Sequence, residues 1–182
     1  MTASNDNDSV ILVDAHDVAI GTAGKLDAHR RGLRHRAISV LVRNSAGQFL
    51  LQRRHPAKYH SGGLWTNACC SHPLPGEDVA DAARRRLMQE MGVACPLKPL
   101  FVLHYHTPVS GGLIENEVVH VFGGLHDGPI KPDPAEVSEW KWISFFDLKA
   151  ELRAGPDAYT AWFRQYVDTH EDTIADWLAA KP

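Results

Sequence analysis

Residues 71–93 read SHPLPGEDVADAARRRLMQEMGV, and this stretch decides the fold. Pro73, Pro75 and Gly76 interrupt any regular structure at its start. From residue 78 to residue 91, Val79, Ala82, Ala83, Leu87 and Met91 recur at helical spacing, so the pattern predicts an amphipathic helix. Gly92 ends it, because glycine takes the left-handed conformation that closes a helix. Just upstream, SGG at 61–63 leads into LWTNACCSH at 64–72.

Working outward, the chain alternates strand-type and helix-type segments. VILV at 10–13 is a short β-type run. AISVLV at 37–42 and FLLQ at 49–52 flank Asn44-Ser45-Ala46-Gly47, a hairpin turn signal. Residues 100–105, 118–125 and 139–143 read as strands. Asp147 is expected to cap a short helix, and residues 159–178 carry one or two more. No internal repeat is visible. Strands mixed with helices predict one α/β sandwich.

Length and charge narrow the function classes. The chain has 182 residues, enough for one well-packed domain rather than two. We read 1–9 as a flexible tail and 10–182 as a single domain. A formal charge of -3 excludes the strong basic excess of a nucleic-acid surface. No apolar run reaches membrane-span length, and the start is polar rather than signal-like. Cys69, Cys70 and Cys95 form no disulfide framework, so a reduced, cytoplasmic protein is expected, a monomer or weak dimer. Eleven histidines are many for this length and hint at metal chemistry.

The helix stretch resembles the Nudix box. Ser71 takes its first glycine position, Glu77 its first glutamate, Arg85 its arginine and Leu87 its apolar position, and Glu90, Gly92 and Val93 complete it. Arg86 and Gln89, however, stand where Nudix hydrolases carry carboxylates. Pyrophosphate cleavage needs a dense carboxylate cluster around divalent metal, so these two departures count against hydrolysis. One Nudix branch is similar in the departures too: the metal-dependent isopentenyl-diphosphate isomerases. Its motifs are WTNACCSHP at 65–73, Glu115-Asn116-Glu117, and the pair His29 and His35 in AHRRGLRHRAIS. The resemblance runs from about residue 10 to residue 162. It implies a Nudix-like α/β/α sandwich with a mixed sheet and added N- and C-terminal elements.

The resemblance also implies the site. His29, His35, His72, Glu115 and Glu117 would hold one Mn²⁺, with Mg²⁺ or Zn²⁺ as alternatives. The implied reaction is a 1,3-proton shift through a carbocation-like state, interconverting isopentenyl and dimethylallyl diphosphate and needing an acid and a base. Cys70 and Glu117 are the expected pair, with Tyr105 as a proton relay. Proximity to the metal is expected to favour the Cys70 thiolate. Cys69 is read as packing. Lys25, Arg54, Lys58 and Arg86 would hold the diphosphate. Glu90 would bind a second ion, Mg²⁺, bridging the diphosphate oxygens. Trp162 would lay its indole over the cation. Hydrolysis of a diphosphate-containing substrate and non-catalytic diphosphate sensing remain as rivals. His104, His106, His120 and Trp140 receive no role.

Overall fold

The computed structural model describes residues 9–180. Residues 1–8 of the expected tail lie outside them, and Ser9 already opens a strand. In chain order the elements are β1 (Ser9–Val13), β2 (Ala19–Gly24), α1 (Lys25–Arg31), β3 (His35–Arg43), β4 (Phe49–Arg54), β5 (Trp65–Asn67) and β6 (Cys69–Ser71). There follow α2 (Val79–Met91), β7 (Leu97–Val109), β8 (Leu113–Leu125), β9 (Val137–Ile143), α3 (Phe145–Ala154), α4 (Ala161–Thr169) and α5 (Glu171–Ala179).

The helix predicted over 78–91 forms as read. Asp78 caps α2, its carboxylate accepting from the Ala80 and Asp81 amides at 2.8 and 3.3 Å. Gly92 closes it at φ 64°, where any side chain would run into the Lys131 carbonyl. Asp78→Ala should therefore cost about 1 kcal/mol of stability, read as a lower denaturant midpoint; an unchanged midpoint would show that the cap contributes nothing. The helix over 145–154 needs a correction. Ser144 caps it, with its hydroxyl accepting from the Asp147 amide at 3.1 Å, and Asp147 lies inside the first turn.

The turn at 44–47 closes with Gly47 at φ 75°, yet the hairpin expected around it barely exists. β3 and β4 share a single paired position, Arg43 with Phe49, and then diverge. β3 runs parallel to β8, which is antiparallel to β7; β4 pairs with β5 and β9. The sheet is thus mixed and splits into two arms. The chain switches arms between β5, on β4, and β6, on β3. Asn67 staples this switch: its amide Nδ2 lies 2.9 Å from the Ser39 hydroxyl and from the Val40 and Cys69 carbonyls. β7 and β8 are also longer than read, because exposed His104 and His106 dilute the apolar pattern of β7.

Helices cover both faces. α2 packs Ala82, Ala83, Leu87 and Met91 against Ile38, Val40 and Phe122. On the other face Phe163, Tyr166 and Ile174 of α4 and α5 meet Leu41, Leu51, Val119 and Val121. The expected α/β/α sandwich is what the chain builds. Its two arms part around the cavity that holds the candidate site.

Candidate active site

The site begins with two histidines fixed by backbone carbonyls. His29, buried on α1, donates Nδ1–H to the Lys25 carbonyl at 2.7 Å. His35, buried at the start of β3, donates Nδ1–H to the Leu33 carbonyl at 2.8 Å. A carbonyl only accepts, so each neutral ring carries its proton on Nδ1 and presents a lone pair at Nε2. Both Nε2 atoms point to β8. There Glu115 and Glu117, two residues apart on one strand face, supply carboxylates.

His29 Nε2 lies 3.4 Å from Glu115 Oε2, and His35 Nε2 lies 3.4 Å from Glu117 Oε1. His72 brings its Nε2 to 2.9 Å from the same Glu117 oxygen. His29 Nε2, His35 Nε2 and Glu115 Oε2 are buried without a hydrogen-bond partner. Buried unpaired polar atoms each cost about 1–3 kcal/mol, and lone pairs facing one another repel unless a cation stands between them. The donor set of imidazole and carboxylate therefore fits a divalent metal. His29, His35, His72 and Glu117 form one group of converging ligand atoms; His29, His60 and Glu115 form a second.

The electrostatics follow from burial and pairing. Burial lowers the pKa of His72 well below its ordinary value, with His35 adding to the effect. Burial also opposes charge on Glu117, but hydrogen bonding and attraction from His35 hold its carboxyl at about 2. Tyr105 faces Glu117 across the β7–β8 pair and donates its hydroxyl to Oε2 at 2.7 Å. Burial raises the Tyr105 phenol well above its ordinary range, so it keeps its proton.

Cys70 stands on β6 beside Ser39 and Asn67, its Sγ 3.1 Å from the hydroxyl of one and from the amide oxygen of the other. Burial pushes the Cys70 thiol up to about 12, while the hydrogen bonds to Ser39 and Asn67 pull it the other way. Cys69 points to the opposite face and is fully buried among Ile38, Val40 and Ala83, as its reading as packing requires.

Cys70, His72, Tyr105, Glu115 and Glu117 line one cavity, and Lys25, Arg54, Lys58, Arg86, Glu90 and Trp162 line it as well. Arg86 Nη2 donates to Glu90 at 2.7 Å, and Gln52 holds the other Glu90 oxygen at 3.1 Å. Lys58 pairs with Glu136, which also lies 3.8 Å from Arg86. The Trp162 indole donates to Thr66 at 3.0 Å, and the Arg54 guanidinium sits 5.3 Å from its ring.

Three site residues escape the sequence reading. His60 reaches Glu115, Glu136 faces the cations, and Asn67 positions Cys70. Asn67 alone had a signal, its place in the WTN motif. Among the residues given no role, His104, His106 and Trp140 are exposed, and His120 pairs with Asp17 at 2.7 Å; none lines the cavity.

The Nudix resemblance has its structural counterpart in the Glu77–Arg85 pair, which is bidentate at 2.7 Å and ties the loop before α2 to the helix. Residues 33–163 match the NUDIX domain family. The chain is 52% identical over 161 residues to "Isopentenyl-diphosphate Delta-isomerase 2" of Aromatoleum aromaticum, covering 88% of this chain and 85% of that protein. It is 48% identical to "Isopentenyl-diphosphate Delta-isomerase" of Burkholderia multivorans, covering 87% and 90%. A crystal structure from Deinococcus radiodurans superposes with TM-score 0.74 at 23% identity over 88% of this chain and 97% of that one, a likeness of fold.

Proposed function

The chain belongs to the NUDIX family and, within it, to the isopentenyl-diphosphate Delta-isomerases, and from that premise we propose how its site moves the double bond. The observation that carries the reading is the position of Arg86. At the place of a hydrolytic carboxylate it puts a guanidinium into the same cavity as Cys70 and the Tyr105–Glu117 pair. Diphosphate is held there rather than cut. Lys25, Arg54 and Lys58 add cations around it, with Arg forks suited to phosphate oxygens. Glu90 is the residue for a substrate-associated Mg²⁺, which would compete with Arg86 and Gln52 for its oxygens.

The protonation chemistry belongs to two groups. Cys70 and the Tyr105–Glu117 pair both line the cavity. One carbon of the substrate gains a proton and another, two bonds away, loses one, so the formula is unchanged. One group gives the proton and the other takes it. His29, His35, His72, Glu115 and Glu117 would hold Mn²⁺ or a similar ion. That ion, when bound, supplies positive charge that fixes the carboxylates and polarises the groups around them. Burial by β3, β8 and α4 keeps water from the carbocation-like state. The free cysteines, one of them in the cavity, support a reducing, cytoplasmic setting.

Incubating the purified protein with isopentenyl diphosphate and Mg²⁺ tests the whole reading. Dimethylallyl diphosphate is the expected product; orthophosphate would indicate hydrolysis, and no turnover a binding domain. Trp162 tests the cation. Its indole lines the cavity, is 3% exposed and is pinned by Thr66. A cation–π contact is worth roughly 0.5–2 kcal/mol, more when desolvated. Trp162→Leu should therefore lower kcat about tenfold with substrate affinity little changed, and Trp162→Phe should lie between it and the parent. Full kcat per folded molecule in Trp162→Leu would reduce the indole to packing.

A further inference from the structure

His60 sits at the metal site without behaving as the other histidines do. It lies in the loop between β4 and β5, which the backbone holds tightly. Ser61 takes φ 51°, unusual for a residue with a side chain, and its amide donates to the Ser110 hydroxyl at 3.0 Å. Gly62 packs so closely on the Pro56 carbonyl that a Cβ would come within 2.5 Å of it. The loop thereby places a nearly buried imidazole, 4% exposed, against Glu115.

The hydrogen bonds assign its tautomer. His60 Nε2 lies 3.0 Å from Glu115 Oε1, and Nδ1 lies 3.2 Å from the Ser61 hydroxyl. An ionised carboxylate only accepts, so Nε2 carries the hydrogen and Nδ1 accepts from Ser61. This is the reverse of His29 and His35, whose Nδ1–H groups are bound to carbonyls and whose Nε2 lone pairs face the site. Of the two Glu115 oxygens, Oε1 is occupied by His60, and Oε2 is the buried, unpaired atom facing His29.

We propose that His60 is a positioning residue for the metal carboxylate: its Nε2–H anchors Glu115 Oε1 and so commits Oε2 to the ion. The inference rests on the metal reading given above and deepens it. His60 lies close enough to His29 and Glu115 to be taken for a ligand. Its tautomer makes it instead the outer partner of a histidine–carboxylate–metal chain, the kind of contact that orients a ligand and tunes its affinity.

The test is direct titration of metal-stripped protein with Mn²⁺, following free Mn²⁺ by electron paramagnetic resonance. Loss of an outer partner typically weakens metal binding by ~10–100-fold, so His60→Ala should bind Mn²⁺ that much more weakly than the parent. His60→Gln should bind nearly as the parent does, since the glutamine amide offers an N–H where Nε2–H stood but is a poor substitute for an imidazole ligand. Should His60→Ala fail to fold, His60→Leu fills the volume without a donor and is expected to show the same loss. Parent-like affinity in the donorless variant overturns the proposal. So does a His60→Gln affinity as low as that of His60→Ala, which would make His60 a ligand. A parent that binds no Mn²⁺ overturns the metal reading itself, a result distinct from either.

Discussion

Cys70→Ala should lower kcat by ~10²–10⁴-fold, the usual contribution of a general acid–base group, while Cys69→Ala keeps most of the activity. The two thiols are adjacent in sequence and opposite in place. Strand alternation in β6 sends Cys70 into the cavity and Cys69 into the core beneath α2. Truncating Cys69 leaves a small void and a cost in stability, which lowers the amount of folded protein rather than its turnover. Cys70→Ser is the sharper variant. A serine hydroxyl can keep the contacts to Ser39 and Asn67, so folding is preserved, but it is a far weaker acid than a thiol. Activity should fall with Cys70→Ser nearly as far as with Cys70→Ala, at unchanged melting temperature. Equal losses in the Cys69 and Cys70 variants would mean that the wrong thiol has been assigned to the chemistry.

How much of this was legible beforehand depends on the range over which each feature is determined. α2 is local: its apolar spacing, Asp78 cap and Gly92 stop all lie within residues 78–92. The turn at 44–47 is equally local, and it forms. What its flanking strands do is not local. Leu41 and Leu51 both face the same core, but β3 pairs with β8 and β4 with β9, partners distant in sequence. A strong turn signal between two apolar runs therefore suggests a hairpin where the chain builds a fork. Strands β5 and β6 have three residues each, too few for any periodicity, and only Asn67, bonded to both arms, marks the switch.

The site divides the same way. The site residues implied by the isomerase motifs gather at one cavity and the adjoining His/Glu group, because those motifs carry three-dimensional information that no single-residue pattern holds. His60 and Glu136 belong to no such motif. His60 matters only because Ser61 and Gly62 let the loop fold back onto Glu115, and Glu136 only because the start of β9 lies beside Lys58 and Arg86. The burial of Cys70, which pushes its thiol up, is likewise a product of β3, β5 and β6 together and is not readable from residues 65–73 alone.

Stripping the metal should abolish turnover and lower the melting temperature together, and the second effect is as informative as the first. Without a cation, His29 Nε2, His35 Nε2 and Glu115 Oε2 are buried and unpaired, and two imidazole lone pairs face carboxylate oxygens at 3.4 Å. A divalent ion relieves these contacts only in the folded state, so binding is coupled to stability: at a free ion concentration 1,000 times Kd the gain is about 4 kcal/mol. Glu115→Gln removes one charged ligand while keeping the shape, and should weaken metal affinity and activity in step. Its stability with metal removed should match or exceed that of the stripped parent, because a neutral amide is a less costly group to bury beside Glu117 than a second carboxylate. Full activity in chelated protein, verified metal-free, would sink the assignment of these five residues to the ion. Equal melting temperatures with and without Mn²⁺ would show that the cluster is satisfied by protons alone.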